Sequence, residues 1–324
     1  MRIVEIGEIR RRLEWGEVIG RMREAVIAGA RGECDMPMPM HLEIAPENAE
    51  VHIKSSYRRG GPYFALKIAG SFPGNAARGL STSSGMMLLS SAETGEPVAL
   101  LADGGYLTDV RTAAVAAMMA RELERPDEII GILGTGVQGR LQAQMHALVL
   151  DLVQIVIWGR TPQHAAECQR DLECLFPAAD VILAHSPAEV ARAARLIITC
   201  TASRQPLLNA ADLQPGTLIS AVGSDSPGKQ ELDPEILRRA GLVLVDSLVQ
   251  CEKLGELQHA PEVRNRAIEI GAFCNGKSGP FSKQFHDARE AWSRTHDGMI
   301  TVCDFTGLGV EDLYIAEYCF QRGG

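Results

Sequence analysis

The chain has 324 residues, 46% of them hydrophobic and 23% charged, a soluble globular composition long enough for two domains. Its net charge of −9, with no Lys/Arg run longer than three residues, argues against nucleic acid or an anionic membrane as the main partner and leaves a small molecule. There is no apolar run long enough to span a bilayer, and Met1-Arg-Ile-Val-Glu5 lacks the basic-then-apolar order of a secretory signal, so a cytoplasmic protein is expected.

From the N-terminus, Trp15, Val18, Ile19, Met22, Val26 and Ile27 recur at helical spacing and predict an amphipathic helix over residues 15–30. Four segments with strand character follow: Glu50–Lys54, Tyr63–Ile68, Gly85–Leu89 and Pro97–Leu101, separated by Gly, Pro, Asn and Ser turns. They predict a mixed sheet. Thr108-Asp109 reads as the N-cap of an Ala-rich helix running to about Glu124, which leads into a second domain.

The apolar strand Glu128–Leu133 is followed at once by Gly134-Thr135-Gly136-Val137-Gln138-Gly139, which opens a helix, and a second apolar strand, Ile155–Trp158, arrives about 20 residues later. This is the context in which a G-x-G-x-x-G turn binds a dinucleotide. The first glycine permits the bend, the second lets the backbone approach a pyrophosphate, and the third lets the helix pack on the sheet, with the anion on the helix N-terminus. An NAD site usually carries Asp or Glu at the end of the second strand, but this chain has Gly159-Arg160-Thr161-Pro162. NADP(H) is therefore favoured over NAD(H), with Arg160 and Thr161 on the 2′-phosphate; the bland alternative is a solvated surface arginine.

Beyond this unit, Val181–Leu183, Leu196–Cys200, Thr217–Val222 and Leu242–Asp246 alternate with helical stretches, the signature of a doubly wound parallel sheet. A last strand, Gly298–Cys303, and the helix after Gly309 are expected to bridge both domains. The eight cysteines form no C-x-x-C pair and read as reduced core residues; the eight histidines are scattered without H-x-x-x-H spacing, so no metal site is expected. Ligands of such sheets bind at the carboxyl ends of the strands, which directs the loops at Thr201 and at Val222-Gly223 toward a nicotinamide. There Asp225 fits a general acid or base, and on composition alone it fits an Asx-turn residue more readily.

Four motifs in order, Leu107-Thr-Asp-Val-Arg-Thr-Ala-Ala114, Gly134-Thr-Gly-Val-Gln-Gly139, Gly223-Ser-Asp-Ser-Pro-Gly-Lys-Gln-Glu-Leu232 and Asp304-Phe-Thr-Gly-Leu-Gly309, resemble the ornithine cyclodeaminase and μ-crystallin family across the whole chain. Tyr57-Arg-Arg-Gly-Gly61 with Thr94-Gly-Glu-Pro97 looks most like its ectoine-utilisation and iminosuccinate reductase branch. The resemblance implies a Rossmann-type α/β domain, 114–299, holding NAD(P), and an α+β substrate-binding and dimerisation domain, 1–113 with 300–324, in a homodimer. It implies hydride transfer between the nicotinamide and the α-carbon of an amino or imino acid. Asp225 would be the acid/base, Lys67 and Arg111 the ligands of the substrate carboxylate, Thr112 a pyrophosphate ligand, Lys229 a neighbour of the nicotinamide, and Gly307 part of the cofactor site.

Departures from the family bear on the substrate. Where the cyclodeaminases carry a further carboxylate-binding Arg, this chain has Met36-Pro-Met-Pro-Met40. Where they carry a Glu for the distal amine, it has His52-Ile-Lys54, and a cationic Lys54 repels an ammonium and attracts a carboxylate. Arg58 and Arg59 lie in the same segment, as acid ligands or as solvated turn charges. The reading is an NAD(P)H-dependent imine reductase making an L-amino acid, from iminosuccinate or a cyclic ketimine such as Δ1-pyrroline-2-carboxylate. The alternatives are ornithine cyclodeaminase and a non-catalytic, μ-crystallin-like binding protein.

Overall fold

The computed structural model describes residues 1–276 and 298–323. The chain divides into two units, Met1–Thr112 with Leu308–Gly324, and Ala113–Gly307. The return to the first unit thus comes at Leu308 and not at the expected residue 300. The reason is the strand Thr301–Asp304, whose backbone pairs on both edges inside the second unit's sheet.

The first unit is built on β1 (Arg2–Glu5), β2 (Cys34–Asp35), β3 (Met40–Ile44), β4 (Ala49–Arg58), β5 (Tyr63–Ser71), β6 (Ser83–Ser91) and β7 (Pro97–Ala102). Their order is β1-β7-β6-β5-β4-β2, with β3 also paired to β4. β1, β2 and β3 went unpredicted because short edge strands carry little of the alternating pattern that a buried strand shows. One face of the sheet takes the C-terminal helix Gly309–Gln321, which also packs on helix Trp15–Ala30. Gly309 is needed there, since a Cβ would sit 2.6 Å from the Ser55 carbonyl oxygen. The opposite face carries Met40, Ile53, Ile68 and Met86 in a row across four strands, three of them well exposed at 56%, 41% and 43% for Met40, Ile68 and Met86.

Helix Tyr106–Glu122 begins earlier than Thr108-Asp109 suggested. Its first turn is capped by Asp103, whose Oδ2 accepts the Leu107 N–H at 2.7 Å across the Gly104-Gly105 bend, so Asp103 does what the sequence assigned to Asp109.

The second unit holds β8 (Ile129–Leu133), β9 (Gln154–Trp158), β10 (Asp180–Leu183), β11 (Leu196–Thr199), β12 (Arg204–Leu208), β13 (Leu218–Ala221), β14 (Gln230–Leu232), β15 (Leu242–Val245), β16 (Ile268–Glu269) and β17 (Thr301–Asp304). Eight of these form one parallel sheet in the order β10-β9-β8-β11-β13-β17-β15-β16, while β12 and β14 pair apart. Chain order reverses between β8 and β11, the switch point at which such sheets open a ligand crevice. Leu133, Val156, Ile197, Ile219, Val243 and Val302 from six strands form the core with Val190, Ile236 and Leu237 from the flanking helices.

The glycine turn between β8 and helix Val137–His146 is shaped by contact. Gly134 has φ +128, and a Cβ on it would fall 2.6 Å from the Cys200 sulfur. A Cβ on Gly139 would fall 2.2 Å from the Gly134 carbonyl oxygen, whereas one on Gly136 would meet no described atom within 4 Å. Gly139→Ala should therefore destabilise the protein without ligand by about 1–3 kcal/mol, as overpacking does. Gly136→Ala should stay within about 0.5 kcal/mol of the parent, as at unencumbered surface sites. Urea denaturation of both variants checks this, and equal losses would remove the packing argument.

Candidate active site

A cleft of 280 Å³ opens over the carboxyl ends of β8, β9 and β11, lined by Gly134–Gly136, Trp158–Thr161, His164, Cys200–Ser203 and Leu207. Six of the sequence candidates, Gly134, Thr135, Gly136, Arg160, Thr161 and Thr201, meet there. Arg140, which the sequence did not single out, clamps the turn: its Nη1 donates to the carbonyls of Thr135 (2.7 Å) and Gly136 (3.2 Å), and its far edge pairs with Asp171 at 2.6 Å. With those carbonyls engaged, the groups left for an anion are the N–H donors of the helix's first turn, at Val137, Gln138 and Gly139. The open space at Gly136 and the cleft over the strand tips fit a dinucleotide pyrophosphate. Arg160 is exposed at the rim and has no carboxylate beside it in sequence.

The loops after β11 and β13 are tied together by one buried side chain. Glu231 is fully buried; its Oε1 accepts the Thr201 N–H at 2.6 Å and its Oε2 the Gly223 N–H at 3.0 Å. Burial raises its carboxyl to about 7, against the lowering effect of hydrogen bonds from Thr199, Thr201 and Gly223. Glu256 in turn accepts the N–H groups of Glu231 (2.7 Å) and Leu232 (3.2 Å), and Asp304 accepts those of Glu256 and Leu257, both at 3.0 Å. Asp246 accepts the N–H groups of Thr306 (2.7 Å) and of the candidate Gly307 (2.5 Å), whose φ is +79. The acidic residues of this series stand at isolated sequence positions, and a single-residue reading had no reason to join them.

Asp225 lies on the loop after Val222-Gly223 and is partly exposed, its side chain 44% accessible. Lys229 reaches back to it at 2.6 Å, and the Ser226 hydroxyl donates to the same oxygen at 3.2 Å. The two candidates from one motif therefore form one ion pair.

In the first unit, β4 and β5 place Lys54 directly opposite Lys67, and both side chains are buried, at 8% and 2% exposure. Lys67 pairs with Asp312 at 2.9 Å. Arg111, from helix Tyr106–Glu122, pairs with Glu311 at 2.9 Å and with Asp312 at 3.3 Å. Burial lowers Lys67 to about 7; Asp312 opposes this, while Arg111 and Lys54 add to it. A cation charged this reluctantly is one that an incoming carboxylate stabilises. Glu311 and Asp312 escaped the sequence reading because two acids in a helix's first turn look like ordinary partners of the helix dipole. Thr112 lies one residue after Arg111, at the last position of the first unit.

Arg58 goes elsewhere. It stacks over Tyr314, 5.7 Å from the ring centre, and lines a separate cleft with Glu317, while Arg59 pairs with Asp35 on the surface at 2.8 Å. The side chain is drawn to the C-terminal helix by the aromatic face and is not among the partners of Lys67. Two further expectations change: among the cysteines Cys174 is exposed and Cys200 lines the cleft, and His41, Glu50 and His52, far apart in pattern, are gathered by the β3–β4 pairing.

The ornithine cyclodeaminase/mu-crystallin family profile matches residues 2–323. An uncharacterized cyclodeaminase of Sinorhizobium fredii is 38% identical over 288 residues, 89% of this chain and 84% of that one. The alanine dehydrogenase of Archaeoglobus fulgidus is 31% identical over 316 residues, 97% of this chain and 92% of that one. Among solved structures, the iminosuccinate reductase of Paracoccus denitrificans in complex with NAD+ superposes with a TM-score of 0.83 at 25% identity, over 100% of this chain and 96% of that one. With a glycine turn built for a dinucleotide in one unit, a buried Lys/Arg cluster in the other and a match over nearly its full length, the chain belongs to the ornithine cyclodeaminase/mu-crystallin family.

Proposed function

We propose that the protein is an NAD(P)H-dependent reductase that converts an α-imino acid into an L-amino acid, with iminosuccinate the substrate that fits best and a cyclic ketimine the second. The observation that carries the reading is the buried pairing of Lys54 with Lys67 across β4 and β5. Lys67 and Arg111 bind the α-carboxylate, and Lys54 takes a second carboxylate on the same substrate. A distal ammonium, as on ornithine, meets repulsion from Lys54, which disfavours the cyclodeaminase reading.

The bound nicotinamide supplies the hydride. Asp225 takes a proton from solvent or from the Lys229 ammonium 2.6 Å away and passes it to the imine nitrogen, since a protonated imine accepts hydride far better. Glu231 fixes the Thr201 and Gly223 backbones at the rim that holds the nicotinamide end. Arg160 and Thr161 receive the 2′-phosphate of NADP(H). Relatives support a soluble enzyme, in keeping with no helix among the described residues being long and apolar enough to cross a membrane. A cytoplasmic homodimer is proposed through the exposed apolar row Met40-Ile68-Met86, the kind of contiguous patch that marks a protein interface.

Asp225→Asn should lower kcat by about 10²–10⁴-fold while dinucleotide affinity holds, because the side chain moves a proton and does not grip the cofactor. NAD(P)H oxidation with oxaloacetate and ammonia, beside direct titration of cofactor, reads both quantities. A kcat equal to the parent's would remove Asp225 from the chemistry. Lys54→Met should raise KM about ten- to a hundredfold for the dicarboxylic imine, the worth of one hydrogen bond to a charged group, and leave a monocarboxylic imine nearly unaffected. Equal effects on both would show that Lys54 does not read the second carboxylate. Ammonia release from ornithine without net loss of NAD(P)H would establish the cyclodeaminase instead. Arg160→Ala should weaken NADPH by about ten- to a hundredfold with little change for NADH. A parent enzyme that prefers NADH would overturn the NADP assignment alone.

A further inference from the structure

β3 and β4 are antiparallel, with His41 opposite His52 and Glu43 opposite Glu50. Side chains alternate along a strand, so Glu50, His52 and Lys54 share one face of β4, and His41 joins them from the neighbouring strand. Glu50 Oε2 lies 3.4 Å from His41 Nε2 and 3.6 Å from His52 Nε2, and the three ligand atoms all fall within 4.8 Å of one another. The imidazoles are stacked, with centres 4.8 Å apart and planes at 27°, so both Nε2 atoms approach the same carboxylate oxygen.

Those separations are longer than the ~2.7–2.9 Å of a charge-assisted hydrogen bond. The two carboxylate–imidazole separations match the roughly 3.3–3.6 Å between neighbouring ligands of a tetrahedral ion whose bonds to His nitrogen and carboxylate oxygen are about 2.0–2.2 Å, and the two imidazole nitrogens, which lie within 4.8 Å of each other, close on the ion by side-chain rotation. Two strands of a paired sheet carry all three groups, and the side chains are 36%, 20% and 15% accessible for His41, Glu50 and His52, open enough for an ion to enter. Two imidazole nitrogens and one carboxylate are a borderline donor set, suited to zinc, cobalt or nickel and poorly suited to magnesium or calcium.

We propose that His41, Glu50 and His52 form a binding site for one divalent first-row transition-metal ion, with the fourth position open to water or another oxygen donor. The ion would lie two residues along the same strand face from Lys54, about 7 Å by strand geometry, and would add positive charge beside the buried lysine pair. Ion binding of this kind does not depend on which reaction the protein performs.

The test uses the full chain without an affinity tag, stripped with chelator and titrated with Co²⁺ and then Zn²⁺. The site takes up one ion per chain, gives a ligand-field band of tetrahedral cobalt without sulfur charge transfer, and is displaced by Zn²⁺ and not by Mg²⁺. The double variant His41→Gln/His52→Gln and the single variant Glu50→Gln each weaken Zn²⁺ by about a hundredfold or more, since even indirect partners of a ligand are worth 10–100-fold. His185→Gln, outside the cluster, leaves affinity unchanged, and far-ultraviolet dichroism reports whether each variant keeps its fold. Unchanged Zn²⁺ affinity in folded Glu50→Gln, sulfur charge transfer in the cobalt spectrum, or no uptake by the parent chain would each overturn the site.

Discussion

The ligand-facing rim of the second unit depends on buried carboxylates that accept backbone N–H groups. Loops at the ends of parallel strands carry donors with no strand partner, and a buried donor without an acceptor costs as much as a lost hydrogen bond. Glu231, Glu256, Asp304 and Asp246 meet this need, each accepting at least two backbone donors: Glu231 from two separate loops, Glu256 and Asp304 from consecutive residues, and Asp246 from Thr306, Gly307 and Ser247. The desolvation cost is visible in Glu231 and Asp304, both raised by burial to about 7, and in Glu256, pushed up by burial and by the charges of Glu231 and Asp304. Such a series fixes loop positions against one another, which is what a site needs when catalysis rests on placing groups accurately.

The first unit manages the opposite charge by a related device. Lys67 and Arg111 are held by Glu311 and Asp312 on the C-terminal helix, so this buried charge cluster draws on a strand, a helix near residue 111 and the last helix of the chain. Ion pairs this deep are weak evidence of stability, because taking charges out of water offsets much of their attraction. Their meaning is preorganisation. The cations are held in fixed positions by their carboxylate partners, and burial keeps Lys67 only reluctantly charged.

One strand face carries both this cluster and the His41–Glu50–His52 group, and the other face of the same sheet is apolar and open. The division follows from the two-residue period of β4, where even positions carry polar chemistry and odd positions Val51 and Ile53 face outward with Ile68. A single strand thus carries a polar, charged face and an apolar, exposed one.

Sequence alone determined the dinucleotide turn and the doubly wound sheet, because these are written in local spacing: glycines at fixed intervals and apolar runs of strand length. Asp225, Lys67 and Arg111 are singled out through the resemblance to a known family. Tertiary structure decided who stands beside whom. Lys54 faces Lys67 through strand register, Glu231 bridges two loops 22 residues apart in sequence, from Thr201 to Gly223, and Arg58 turns to Tyr314 instead of the Lys67–Arg111 cluster. It also moved the chain's return to Leu308, because β17 finds two parallel partners, and it joined three metal-type ligands that no linear spacing connects. Local pattern fixes what a segment becomes; the partners of a charged or polar side chain follow from strand order and burial, which are properties of the whole fold.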